Sequence, residues 1–179
     1  MAARLTHPID LRPGPAAYLV AALLVAVCLH VAGGIGPRAD AAPAATRVAM
    51  TATERGFVQG LNEARREHGL SAFVPDGRLA AAARSHSADM VARDYFAHGR
   101  FWVRIQQEGI PAGTFGETLG WTSQASGAVD RIVAAWLASP EHRSVILDAV
   151  YRQVGVGVEQ GSFKGHPDAV VVTADFHGD

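Results

Sequence analysis

Residues 126–158 read SGAVDRIVAAWLASPEHRSVILDAVYRQVGVGV, and within this stretch the spacing of the apolar residues changes from helical to strand-like. The first part carries apolar residues at i, i+3, i+4, i+7 and i+8, namely Val129, Ile132, Val133, Trp136 and Leu137. This pattern predicts a helix, which we expect Ser126 to cap. Residues 154–158 then alternate valine with glycine, which predicts a strand. Helices followed by strands indicate a mixed α+β domain.

The chain before residue 126 is predicted to be mainly helical. A first helix begins at Thr51 or Thr53 and ends near His68, and a second begins at Pro75-Asp76. Shorter elements follow, a helix over residues 101–108 and a strand over residues 115–121. His86 lies on the apolar stripe of the second helix, and we expect it to be a hydrogen-bonded core residue rather than a ligand.

The C-terminal part of the chain is predicted to be an antiparallel hairpin. Pro140 begins a helical turn that ends near Leu147, and a second apolar strand covers residues 169–176. Since side chains two residues apart share one face of a strand, Gly155 and Gly157 should both face a layer that approaches the sheet closely. The valines of residues 154–158 should pack on the opposite layer.

An almost wholly apolar run, Tyr18–Ile35, follows a start that contains two arginines and precedes the triplet Ala39-Asp40-Ala41. This pattern is typical of a secretory signal peptide cleaved after Ala41 or Ala42. The alternative is an uncleaved membrane anchor, because about 18 apolar residues is the shortest length that spans a bilayer. We therefore predict a signal peptide or anchor over residues 1–41, a linker over 42–53 and a domain over 54–179. Both alternatives place the domain outside the cytoplasm.

Composition limits the classes of protein to be considered. The chain has 179 residues, with 16 basic and 17 acidic side chains and a formal net charge of −1, so nothing indicates a nucleic-acid partner. The single cysteine, Cys28, lies in the apolar run, so the exported domain must be stabilised by its hydrophobic core without disulfides. We expect the mature domain to be soluble, with membrane association only if the N-terminal segment is retained.

Three short segments supply the residues on which a functional hypothesis depends. They are Phe96-Ala97-His98, Gly116-Glu117-Thr118 and Ser139–Arg143, the last of which contains His142. Imidazole and carboxylate side chains bind divalent metals or transfer protons near neutral pH. The three residues follow neither helical nor strand spacing, so they can act together only if the fold brings them to one place.

These segments resemble the CAP superfamily, which groups cysteine-rich secretory proteins, insect venom antigens and plant pathogenesis-related proteins. The matching segments occur in the order of the family: Asn62–Leu70, Asp76–Leu79, Ala83–Met90, Tyr95–His98, Gly116–Thr118, Trp136–Arg143 and Val154–Val158. The chain is most similar to the short, cysteine-poor bacterial form. The resemblance implies an α-β-α sandwich with a small central antiparallel sheet, and a cleft lined by His98, Glu117 and His142.

The chain departs from the family pattern at three places. Animal and plant members carry a second glutamate three residues after the tryptophan, and here that position is Ser139. Thr118 stands where the bacterial pattern favours asparagine, and Ser144-Val145 where Ala-Asn is common. The missing carboxylate weakens any mechanism that needs four groups and leaves three.

Three functions remain open for such a cleft. The first is a ligand-binding or interaction module for a lipid, peptide or cell-envelope component. Alternatively, His98, Glu117 and His142 would bind zinc or another divalent metal with an open water position, giving a metal-assisted, peptidase-like hydrolase. A third interpretation is a hydrogen-bond network that only stabilises the fold. A serine hydrolase is disfavoured because no serine lies in a Gly-x-Ser-x-Gly motif.

Overall fold

The computed structural model describes residues 49–178, and its helices and strands follow the predicted order. The elements are α1 Ala52–Glu67, β1 Val74–Pro75, α2 Gly77–Arg93, α3 Phe101–Gln107, β2 Thr114–Thr122, α4 Ala128–Ala138, α5 Pro140–Ile146, β3 Gln153–Phe163 and β4 His166–Gly178. The signal peptide or anchor predicted for residues 1–41 and most of the predicted linker lie outside the described residues. Within residues 49–178, no helix has both the length and the apolar character needed to cross a bilayer.

The strands form one sheet in the order β1-β3-β4-β2, which places β2 at an edge. Strands β3 and β4 are the predicted antiparallel hairpin, and β2 pairs antiparallel with β4. The short β1 pairs in parallel with β3, through Val74 and Pro75. Sequence reasoning had assigned that segment to an extended link. The mixed α+β class and the mainly antiparallel sheet between helical layers are confirmed.

Helix α2 packs directly on the glycines of β3, as predicted. A Cβ atom added at Gly155 would lie 2.1 Å from the backbone nitrogen of Ala80, and one added at Gly157 would lie 2.1 Å from that of Arg84. Real Cβ atoms do not approach backbone this closely, so only glycine allows this separation between helix and sheet. Val154 and Val156 point to the other layer and are fully buried there.

The opposite layer consists of α1, α4 and α5 and contains the larger core. Trp136 lies in this core and packs against Phe57, with ring centroids 5.9 Å apart. Helix α1 begins with a capping box in which Thr51 and Glu54 satisfy each other's backbone N–H groups. The apolar stripe predicted for α4 packs on two neighbours: Ile132 and Trp136 lie against Gly120 of β2, and Val129 and Val133 lie against glycines of α1.

The predicted cap of α4 was wrong. The N-cap is Gly127, in the left-handed region at φ 69°, and no side chain caps this helix. Instead, Arg131 donates from its guanidinium to the Ser126 carbonyl at 2.6 Å. A glycine accommodates the positive φ that this turn requires, so the chain enters the helix one residue later than the serine predicts.

Candidate functional site

The site is built on edge strand β2, where a carboxylate points to the α2/α3 side of the sheet. Glu117 of β2 pairs directly with Asp175 of β4, so their side chains share one face. Glu117 is 1% exposed and Asp175 is fully buried. Two acidic side chains thus lie side by side in the interior, in a place where charges need partners.

His98 reaches this carboxylate from the loop between α2 and α3. Its Nδ1 lies 2.7 Å from Glu117 Oε1, a short hydrogen bond in which the ring N–H donates to the carboxylate. Burial lowers the pKa of His98, which favours the neutral ring at physiological pH. Its Nε2 is buried and has no partner among the described residues.

Arg104 on α3 is the cation of this cluster. Its Nη2 contacts Glu117 Oε2 and lies 3.6 Å from Asp175 Oδ1. Both oxygens of Glu117 are therefore engaged, one by His98 and the other by Arg104. His86 of α2 lies beside the cluster, with its Nε2 4.0 Å from Glu117 Oε2 and donating at 3.0 Å to the Ala97 carbonyl. The expectation that His86 is a buried, hydrogen-bonded residue is confirmed.

One guanidinium cannot neutralise two buried carboxylates, and the ionisation of the cluster reflects this. Burial raises the pKa of Glu117 to about 7 against the opposing effect of Arg104. Burial, together with the nearby Glu117 charge, raises the pKa of Asp175 far above its usual range. Burial also lowers the pKa of His86 to about 4, with a further contribution from Arg104. Asp175, which lies farther from the guanidinium, takes up a proton first, leaving Glu117 as the hydrogen-bond acceptor.

His142 approaches from α5, on the other side of β2. Its Nδ1 shares a hydrogen bond of 2.9 Å with Ser139 Oγ, and its Nε2 is buried without a partner among the described residues. Burial lowers the pKa of His142, and a positive charge on His98 lowers it further. The Ser139 hydroxyl orients the imidazole instead of capping α5, which has no side-chain cap.

A cavity of about 510 Å³ runs along the outer edge of β2 beside His142. Its walls combine apolar and aromatic side chains with a few polar groups. They include Phe96, Leu119, Trp121, Trp136, Ser139 and His142. Trp121 is 37% exposed and forms part of the mouth. A concave surface of this size and mixed chemistry is typical of a small-molecule site.

The three residues predicted to hold a metal, His98, Glu117 and His142, all make hydrogen bonds within the protein. Within residues 49–178, no group of three or more histidine, cysteine or acidic side chains is placed so that it could hold an ion. Glu117 contacts His98 and Arg104 and orients the first of these. The atoms that remain available as metal donors are His98 Nε2 and His142 Nε2, each on a ring fixed through its Nδ1. Binding of zinc or another divalent metal stays a prediction.

Two residues of the cluster were missed by sequence reasoning. Asp175 interrupts the apolar strand 169–176, and a lone acidic residue in a buried strand was the available signal. Arg104 gave no comparable signal, because arginine on a short amphipathic helix is usually solvent-exposed. Its position beneath β2 depends on the packing of α3, which its local sequence does not specify.

Comparison with known proteins places the chain in a family. Residues 58–176 match the profile of CAP, the cysteine-rich secretory protein family, so the chain belongs to this family. Two relatives from Bacillus subtilis are similar over the same region. YkwD is 32% identical to this chain, and the match covers 63% of this chain and 45% of YkwD. The membrane protein YlbC is 30% identical, and the match covers 62% of this chain and 33% of YlbC. The chain thus spans less than half the length of either relative.

Solved structures share the fold. An extracellular protein with an SCP domain from Bacillus anthracis aligns with a TM-score of 0.60 at 23% identity, over 71% of this chain and 40% of its own. A cysteine-rich secretory protein from Staphylococcus aureus aligns with a TM-score of 0.58 at 18% identity, over 71% of this chain and 38% of its own. An outer surface protein from Borrelia burgdorferi aligns with a TM-score of 0.55 at 18% identity, over 71% of this chain and 93% of its own. These likenesses establish the fold and leave the function to the residues of the cleft.

Proposed function

We propose that this chain is an exported CAP-domain protein that binds a ligand in the cleft containing His98 and His142. One observation carries the proposal: His142, which lines a cavity of about 510 Å³, leaves its buried Nε2 without a partner among the described residues. The buried Nε2 of His98, outside the lining of that cavity, is also without a partner there. Buried polar atoms are nearly always hydrogen-bonded in folded proteins, so a place with several unpaired ones points to a bound water or ligand. Export is supported by the N-terminal apolar run and by the extracellular or surface description of the structural neighbours.

The lining of the cavity favours an amphipathic ligand. Phe96, Trp121 and Trp136 offer apolar surface, whereas Ser139 and His142 offer hydrogen bonds at one end. A lipid or an apolar peptide segment of the cell envelope has this combination of a long apolar part and a polar end. Zinc or another divalent metal would be held by His98 and His142, and when bound it would polarise a ligand oxygen or acidify a bound water.

A metal-assisted hydrolase remains the second candidate. In its favour, the raised pKa of Glu117, about 7, is suited to a group that exchanges a proton near neutral pH. Against it, both oxygens of that carboxylate are engaged by His98 and Arg104. A general base needs a free oxygen within reach of a water. We therefore prefer the binding module to the hydrolase.

Binding of a dansyl-labelled fatty acid tests the proposal. Ala135 lines the cavity from the exposed side of α4, so Ala135→Trp should fill the cavity without disturbing the core. Ala138→Trp is the matched control, because Ala138 is exposed on the same helix and does not line the cavity. We expect saturable fluorescence enhancement with the parent protein, binding weakened by roughly tenfold or more in Ala135→Trp, and no change in the control. Equal binding by all three proteins would overturn the proposed site.

A further inference from the structure

A chain of contacts links a buried aspartate to the imidazole at the cleft. Asp175 Oδ1 lies 3.6 Å from Arg104 Nη2, the same nitrogen contacts Glu117 Oε2, and Glu117 Oε1 accepts from His98 Nδ1 at 2.7 Å. The two contacts of Glu117 use different oxygens, so both can be made at once. We propose that Arg104 and Asp175 are positioning residues that hold Glu117 as the acceptor for His98 Nδ1–H and thereby present His98 Nε2 to the ligand.

The need for Arg104 follows from the pairing of the strands. Glu117 is buried beside the Asp175 carboxyl group, its direct cross-strand partner, and a charge on Glu117 needs a cation there. Arginine has a planar fork of donors that can contact two carboxylates at once, which the single ammonium of lysine does less well. With Arg104 in place, the Glu117 carboxylate is fixed on two sides. Without it, Glu117 is free to turn away from Asp175 and from His98.

The consequence for His98 is the choice of tautomer. In a neutral imidazole one ring nitrogen carries the proton and the other offers a lone pair, and the hydrogen bond at one nitrogen decides which is which. Because Nδ1 donates to Glu117, Nε2 is the acceptor. It is buried and has no partner among the described residues. The ligand is therefore expected to present a hydrogen-bond donor or a metal ion at this point.

Asp175 also accounts for a departure in the sequence pattern. The position of the second family glutamate is Ser139, whose hydroxyl orients His142. A second carboxyl group is nevertheless present. It belongs to Asp175 on β4, the strand that pairs with β2. It does not line the cavity and acts through Arg104. The inference deepens the proposed function and rests on it, but its test needs no ligand.

Nuclear magnetic resonance of the purified protein with ¹⁵N-labelled histidine, recorded with a chelator present, tests the inference. The His98 signals are assigned by their loss in His98→Gln. In the parent protein we expect His98 to be protonated at Nδ1. In Arg104→Met we expect the tautomer ratio to move toward Nε2–H by roughly tenfold, as when a hydrogen bond to a charged group is weakened. Arg104→Lys should restore part of the preference, and Asp175→Asn should give a smaller shift in the same direction.

Arg78→Met provides the control. Arg78 pairs with Asp76 near the surface, so its loss removes an ion pair without touching Glu117, and the His98 signals should not change. A purely structural role for Arg104 would lower the melting temperature of Arg104→Met and leave the tautomer unchanged, which would overturn the inference. Protonation of His98 at Nε2 in the parent protein would overturn it without any variant, even if Arg104→Met does not fold. Failure of fatty-acid binding would leave these results standing.

Discussion

Glu117 and Asp175 are paired across strands β2 and β4 with both side chains buried, and both lie within reach of one guanidinium, that of Arg104. Burying two carboxyl groups with a single cation is unfavourable unless a proton or a further cation completes the balance. The free energy of unfolding should therefore depend on pH, which sets the protonation of these two carboxyl groups. Glu117 of this pair is also the hydrogen-bond partner of His98.

Arg104→Met should destabilise the protein by about 2–3 kcal/mol, because removing one partner of a largely buried ion pair leaves an uncompensated charge. Urea unfolding followed by circular dichroism gives this value. Arg78→Met, which removes an exposed pair, should cost under about 1 kcal/mol. Equal effects of the two substitutions would mean that Arg104 is no more important than a surface arginine.

The free energy of unfolding should depend on pH through His86. Its pKa is lowered from 6.5 to about 4 in the folded protein, so between these values the unfolded state binds more protons. The stability that depends on neutral His86 is thus fully present above pH 6.5 and is lost as the pH falls toward 4, by up to about 3 kcal/mol. The contribution of Glu117 to the free energy of unfolding has the opposite dependence on pH. Because its pKa is raised from 4.5 to about 7, this contribution is lost as the pH rises through about 7.

His86→Gln separates the two contributions. Glutamine keeps a hydrogen-bond donor for the Ala97 carbonyl and cannot be protonated in this range. Urea unfolding at several pH values should show a flatter acid limb in the variant than in the parent protein. Parallel acid limbs would show that His86 is not responsible.

Gly157→Ala should destabilise the protein by at least about 3 kcal/mol, because the new Cβ would lie 2.1 Å from the Arg84 backbone nitrogen and α2 would have to move off the sheet. Gly161→Ala is the matched control in the same strand. There the nearest atom, at 2.9 Å, is a methyl carbon of the Val91 side chain, which can turn away. The comparison is made by thermal melting, and similar melting temperatures for the two variants would contradict the close packing of α2 on β3.

Export is checked by the N-terminus of the protein found outside the cytoplasm. If residues 1–41 are a signal peptide, intact-mass measurement should show a product that begins near Ala42. A membrane-bound product that keeps Met1 would instead establish the anchor.

The sequence predicted the fold well because the relevant signals are local. The helical stripe of Val129 to Leu137 and the alternation of residues 154–158 follow directly from the geometry of helices and strands. The close approach of α2 was equally predictable, since Gly155 and Gly157 have no other common reason to alternate with valine. The cap of α4 was not, because Ser126 and Gly127 both suit a helix start and the turn geometry decides between them.

The candidate site was predicted only in part. His98 and Glu117 form a hydrogen-bonded pair, as the hydrogen-bond network interpretation expected, whereas the hydrogen-bond partner of His142 is Ser139. Sequence reasoning missed Arg104, which joins the site through tertiary packing of α3 and engages the second oxygen of Glu117. Charge neutralisation in an interior depends on neighbours distant in the chain, and one sequence does not reveal them.

The most direct test of the account is a histidine NMR titration with the dansyl-labelled fatty acid. The account predicts that the Nε2 signals of His98 and His142 shift together and saturate at about one equivalent, because one ligand would contact both atoms. The exposed His68, which does not line the cavity, should not respond. Saturable binding that leaves His98 and His142 unchanged would contradict the central claim that these two imidazoles form the ligand site.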